Sequence, residues 1–254
     1  MSAQPTNIGP PLRSDSPLKS VVIVPAFNEA ASLPDVLRDL APLGFDVVVV
    51  DDGSTDATAA LAREQGAVVL RMPINVGIGG ALRCGFQWAS SHGYERAVQL
   101  DADGQHDPAQ IPLLFAELDA GADLVIGSRF AGDDSGYRIP PIRRVAMRIL
   151  EGAVRLVIHR RFTDTSSGFR AFSGPMIEYF AGEYPADYME SVEALCLASV
   201  AGFEVTEVAI TMRPRSGGSA SVVGIRLLFH YLRVLLAVTV RVRAGRGVDM
   251  RARA

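Results

Sequence analysis

The chain has 254 residues, 25 Lys and Arg against 28 Asp and Glu, and 48% hydrophobic residues, enough apolar material for one large domain core. A formal charge of -3 argues against nucleic acid as a partner, because affinity for a phosphate backbone grows with the number of cationic contacts. Cys84 and Cys196 stand far apart, so neither a disulfide framework nor a four-cysteine zinc site is expected, and a reducing cytoplasm fits.

Residues 1–19 carry Pro5, Pro10, Pro11 and Pro17 among polar residues and lack the apolar centre of a secretory signal, so they read as a disordered lead-in. From Val21 onward, short Val- and Ile-rich runs alternate with longer helical patterns. The runs predict strands over Val21–Pro25, Phe45–Val50, Ala67–Arg71, Ala97–Leu100 and Asp123–Ile126. Helices are expected over Ser32–Leu40, Thr55–Gln65, Ile78–Ser90 and Pro108–Leu118, the last opened by Asp107-Pro108. This alternation is the signature of an α/β fold with a mostly parallel central sheet flanked by helices. The nearly unbroken hydrophobicity of the runs implies strands buried on both faces.

Past Arg129, residues Ala131–Pro141 read as a loop and Ile142–Ile158 as a helix. A polar turn around Thr163–Gly168, a helix over Asp187–Ala201 and a strand near Phe203–Met212 follow. No run of about 18 uncharged apolar residues occurs, so any membrane contact is expected to be peripheral. Residues 219–241 place Arg226, His230, Arg233 and Arg241 on one helical stripe with an apolar face opposite. Such a helix suits a membrane interface or a partner protein, or else docks on the protein core or on a second subunit. Residues 242–254 read as a basic, frayed tail.

In an open parallel sheet, ligands bind beyond the carboxyl ends of the strands. The first predicted strand runs into Pro25-Ala26-Phe27-Asn28-Glu29, the second into Asp51-Asp52-Gly53-Ser54-Thr55-Asp56, and the fourth into Asp101-Ala102-Asp103-Gly104-Gln105-His106-Asp107. Carboxylates brought together in one cleft repel, which raises their pKa values unless a cation lies between them. The D-x-D spacing of Asp101 and Asp103 suits a hard divalent ion, Mg²⁺ or Mn²⁺, that keeps water and diphosphate oxygens as further ligands. The glycine-rich stretch Asn75–Gly85 leads into a helix and serves either as a phosphate- or sugar-approaching loop or as a tight turn.

At these residues the sequence resembles the family 2 glycosyltransferases of GT-A fold, and more narrowly their polyprenyl-phosphate or dolichol-phosphate sugar transferase branch. The resemblance rests on V-P-A-F-N-E-A (Val24–Ala30), D-D-G-S-T-D (Asp51–Asp56), N-V-G-I-G-G-A (Asn75–Ala81), D-A-D-G-Q-H-D-P (Asp101–Pro108), G-S-R-F (Gly127–Phe130) and D-T-S-S-G-F-R-A (Asp164–Ala171), and spans residues 20–218. It implies that Pro25, Ala26, Asn28, Glu29 and Asp52 line a nucleotide pocket, and that Asp101, Asp103 and Gln105 hold a metal and the diphosphate. It places Arg129, Arg143, Arg144 and Arg215 near an acceptor phosphate, although Arg215-Ser216-Gly217-Gly218-Ser219 departs from the branch by running into Ala220 rather than a lysine. Asp164 stays open between an acceptor-side catalytic carboxylate and a turn residue that hydrogen-bonds the backbone of Thr165–Gly168; a hydroxyl acceptor makes it the candidate base, and a phosphate acceptor leaves it to orient an arginine such as Arg170. The implied activity is transfer, with inversion, of a hexose-type sugar from a nucleotide diphosphate sugar to a polyprenyl phosphate at the cytoplasmic membrane face. A saccharide or other soluble hydroxyl acceptor, or a non-catalytic nucleotide-binding subunit, is the alternative.

Overall fold

Runs such as Val21–Val24 and Val47–Val50 have no polar face to offer solvent, and in the computed structural model every residue of the strands that contain them is buried. The structure describes residues 18–131, 152, 155, 160–185 and 190–213. Within them lie strands β1 (Ser20–Ala26), β2 (Asp46–Asp51), β3 (Val68–Arg71), β4 (Arg96–Gln99), β5 (Leu124–Ser128), β6 (Arg170–Ser173) and β7 (Val205–Ala209). They form one sheet in the order β3-β2-β1-β4-β6-β5-β7. β6 runs antiparallel to both β4 and β5, and every other pairing is parallel.

The described helices are α1 (Leu33–Leu40), α2 (Thr58–Glu64), α3 (Ile78–Ser91), α4 (Ile111–Asp119), α5 (Gly174–Glu183) and α6 (Glu190–Val200). Strand side chains alternate between two cores. Ile23, Val48, Val50 and Phe172 face Phe86 of α3, Phe180 of α5 and Leu195 of α6. Val22, Val24 and Val49 face Leu37 of α1, Ala62 of α2 and Leu114 of α4. β1 pairs with β2 on one side and β4 on the other, so the chain winds away from this seam in both directions and leaves a crevice at its carboxyl edge.

The α/β fold and five of the expected strands are present within a residue or two of the expected bounds. The polar turn after Thr163 was expected to lead straight to the Asp187–Ala201 helix, but it is followed by β6 and α5. Ser173 starts α5 by accepting the Met176 N–H. The strand expected over Phe203–Met212 ends at Ala209, and Met212 instead forms an isolated bridge with His106. The expected lead-in, the Ala131–Pro141 loop, the Ile142–Ile158 helix, the 219–241 amphipathic helix and the 242–254 tail lie wholly or mostly outside the described residues. No described helix is long and apolar enough to cross a membrane.

Candidate active site

Three strand ends meet in one cavity of about 690 Å³. β1 contributes Pro25, Ala26, Phe27 and Glu29; β2 contributes Asp52; β4 is followed by Asp101, Ala102 and Asp103. Asn75, Gly77, Ile78, Ala81, Ser166, Glu190, Ser191 and Val192 complete the lining. The expected convergence of Asp52, Asp101 and Asp103 is therefore observed.

The wall formed at the ends of β1 and β2 is stitched loop to loop. Asn28 holds a left-handed backbone (φ 55°), donates its N–H to Ser54 Oγ at 2.9 Å and accepts the Thr55 N–H on its Oδ1 at 2.9 Å. Its side chain thus joins two loops while its neighbours Phe27 and Glu29 form the wall. The Asp52 carboxylate accepts the N–H of Val76 at 2.8 Å and of Gly77 at 2.9 Å. That grip requires close approach at the next residue: a Cβ on Gly53 (φ +75°) would stand 2.7 Å from the Ile74 carbonyl carbon. The sequence motif D-D-G-S is thus a clamp on the Asn75–Ile78 loop as well as a pocket wall.

Asp101 and Asp103 leave β4 on a short loop. The Gln105 N–H donates to Asp103 Oδ1 at 3.0 Å, and the Asp101 N–H donates to His106 Nδ1 at 3.2 Å. Gln105 does not line the cavity; it acts on Asp103 through its backbone. Asp101 Oδ1 is buried with no hydrogen-bond partner, and a Cβ on Gly168 would come within 2.8 Å of its other oxygen. A buried, unsatisfied carboxylate oxygen is costly unless a cation meets it, so the site fits a hard divalent ion. Among the described residues no group of three or more His, Cys, Asp or Glu can hold a metal by itself. Asp101 and Asp103 would share the ion with non-protein oxygens, as Mg²⁺ sites commonly do.

Arg129 and Asp164 form an ion pair beside the cavity rather than lining it. Arg129 Nε and Nη2 donate to the two Asp164 oxygens at 2.6 and 2.7 Å, and Nη2 also donates to Ser166 Oγ at 3.0 Å. Asp164 is fully buried, and its own N–H donates to Glu207 Oε1 at 2.8 Å. The arginine that Asp164 pairs with is thus Arg129, not the Arg170 named for a phosphate acceptor. Arg129→Ala strands a buried carboxylate and is expected to cost about 3–5 kcal/mol of stability, read as a lowered urea midpoint.

Arg170, wholly buried in β6, donates from Nε, Nη1 and Nη2 to the carbonyls of Ser167 (2.8 Å), Ser191 (2.6 Å) and Thr165 (3.0 Å). It ties the Thr165–Ser167 turn to the start of α6, so that Ser166 and Glu190 share one wall. Glu190 was not anticipated from sequence, where an acid at a helix start reads as ordinary dipole matching. Burial holds its carboxyl above the ordinary glutamate range, against a hydrogen bond from Ser191 Oγ (2.6 Å) and the charge of Arg170, while Asp101 raises it further. Arg143, Arg144 and Arg215 lie outside the described residues.

A parallel-sheet crevice with a D-x-D loop and a clamped glycine-rich loop defines a nucleotide-sugar transferase of GT-A type. The family model "Glycosyl transferase family 2" matches residues 21–180, and the chain belongs to that family. It is 35% identical to an uncharacterized protein of Methanocaldococcus jannaschii, over 83% of this chain and 90% of that one. It is 32% identical to the polyprenol monophosphomannose synthase of Mycolicibacterium smegmatis, over 81% and 82%. Its fold matches glucosyl-3-phosphoglycerate synthase from Mycobacterium tuberculosis, solved with Mn²⁺, UDP and phosphoglyceric acid, at TM-score 0.66 and 23% identity over 89% of this chain and 78% of that one.

The match to glucosyl-3-phosphoglycerate synthase corrects the narrower expectation of a polyprenyl-phosphate branch and a polyprenyl phosphate acceptor. The acceptor in the matched structure is a soluble phosphoglycerate. Among the described residues the cavity lining holds five carboxylates, Glu29, Asp52, Asp101, Asp103 and Glu190, and no Lys or Arg. Arg129, expected at the acceptor phosphate, is instead engaged by Asp164.

Proposed function

We propose that this glycosyltransferase moves a hexose-type sugar from a nucleoside diphosphate sugar to a hydroxyl of a soluble acceptor, with Mg²⁺ or Mn²⁺ held at Asp101 and Asp103. The observation that carries the reading is the single cavity joining Glu29, Asp52, Asp101, Asp103 and Glu190. Structures of the matched synthase contain Mn²⁺ or Mg²⁺ together with UDP, which supports both the donor class and the ion.

In this reading Pro25, Ala26, Glu29, Asp52 and the Asn75–Ile78 loop hold the nucleotide, with Asn28 fixing the wall from behind. Asp101 and Asp103 would hold the divalent ion, which would supply positive charge against the departing diphosphate. Glu190, on the cavity lining, takes the proton of the acceptor hydroxyl. The acceptor oxygen bonds to the anomeric carbon as the bond from that carbon to the diphosphate oxygen breaks, and the electron pair leaves with the nucleoside diphosphate. In-line displacement of this kind inverts the anomeric centre. The Arg129–Asp164 pair and Arg170 keep the Ser166 and Glu190 wall in place.

Incubating the purified chain with labelled UDP- and GDP-hexoses, Mn²⁺ or Mg²⁺, and a panel of sugars and phosphoglycerate tests this reading. Label is expected in a water-soluble product only when ion and hydroxyl acceptor are both present. Label recovered solely in an organic phase with polyprenyl phosphate would overturn it.

A further inference from the structure

The loop that carries Asp101 and Asp103 is held from outside by the chain that follows β7. Met212 bridges His106 in antiparallel register, and the Arg213 N–H donates to the Gln105 carbonyl at 2.9 Å. Side chains double the attachment. Gln110 donates from Nε2 to the Thr211 carbonyl and accepts the Thr211 N–H on Oε1, both at 2.8 Å. The Arg213 guanidinium spans Asp107, at 2.8 Å, and Asp39 on α1.

Gln105 and His106, the two loop residues gripped in this way, are also bonded to Asp103 and Asp101. The Gln105 N–H donates to Asp103, and His106 Nδ1 accepts the Asp101 N–H. The His106 ring is itself stacked on Phe169, with ring centroids 5.1 Å apart, so it has little room to compensate for a displacement. Thr211, Met212 and Arg213 do not line the cavity, so their effect on it passes through Gln105 and His106.

We propose that Thr211–Arg213 is a strap that sets the placement of Asp101 and Asp103, with Arg213 as its positioning residue. The affinity of the cavity for a divalent ion then depends on a segment more than a hundred residues later in the chain. The inference rests on the reading of Asp101 and Asp103 as the ion's protein ligands. Arg213 is half exposed and its ion pairs lie near the surface, so removing them leaves overall stability nearly unchanged. What they hold is a local loop, and ligand loops are drawn from the least stable parts of a fold.

The test is a Mn²⁺ titration of the full chain, with and without UDP, following free Mn²⁺ by electron paramagnetic resonance. Arg213→Ala removes the guanidinium and keeps the N–H; Gln110→Ala removes the other side-chain attachment. Each is expected to weaken Mn²⁺ binding by about 3- to 10-fold, the range that one or two hydrogen bonds to charged or backbone groups command. Arg213→Lys is expected to recover part of the loss, and Arg38→Ala, which breaks an exposed pair elsewhere on α1, to leave binding unchanged. Unaltered Mn²⁺ affinity in both folded strap variants would overturn the strap while leaving the ion site standing. A wild-type chain that binds no Mn²⁺ in the presence of UDP would overturn the ion site and the strap together.

Discussion

Asp103→Ala is expected to lower sugar transfer by about 10³-fold or more, equivalent to about 4 kcal/mol of lost transition-state stabilisation. The same substitution is expected to abolish the dependence of donor binding on divalent ion. Asp103 lies on a loop after β4, outside both hydrophobic cores, so the variant should fold and melt close to the wild type. The loss is therefore expected in the chemistry and in ion-dependent binding, read by calorimetric titration of UDP with and without Mn²⁺. Asp101→Asn should behave similarly on the ion, and it also disturbs the oxygen packed beside Gly168. Full turnover by Asp103→Ala in the presence of a chelator would remove the ion from the reaction.

How far the sequence shows this site depends on whether a residue's role is local or tertiary. β1 and β2 were legible because burial on both faces leaves a continuous apolar run, and because such runs end where polar ligand-binding residues begin. The clustering of Asp52, Asp101 and Asp103 followed from that, since parallel strands deliver their carboxyl ends to one edge. β6 was hidden by Arg170. An arginine in F-R-A-F-S reads as solvent-facing, and only the folded chain brings the Thr165, Ser167 and Ser191 carbonyls around its guanidinium. Asp164 could not be decided for the same reason, because its partner Arg129 lies at the end of β5, 35 residues away. Glu190 left no local signal at all: it becomes a cavity residue only because Arg170 draws the start of α6 against the Thr165–Ser167 turn.

Glu190→Gln is expected to reduce kcat by about 10²–10⁴-fold, the usual contribution of a positioned general base, while nucleotide binding and Mn²⁺ affinity stay within a few fold. The amide keeps the size of the side chain and a carbonyl oxygen for the Ser191 hydroxyl, so the cavity wall should persist. A purely structural Glu190 would instead show intact turnover once the protein is folded. Stability of the ion-free protein supplies an independent check. The groups set against this carboxyl are Ser191, Arg170, Asp101, Tyr184 and its own backbone N–H, and burial outweighs the three that favour its charge. Its folded-state pKa is raised, so between the unfolded and folded values the native state binds more protons than the unfolded one. Stability from this group is thus greatest in acid and falls as pH rises through that window. Glu190→Gln, which cannot ionise, should lose that decline: its thermal midpoint, relative to the wild type, should climb between mildly acidic and neutral pH. A constant offset between the two proteins across that range would mean that Arg170 and the Ser191 hydrogen bond cancel the effect of burial on the Glu190 carboxyl.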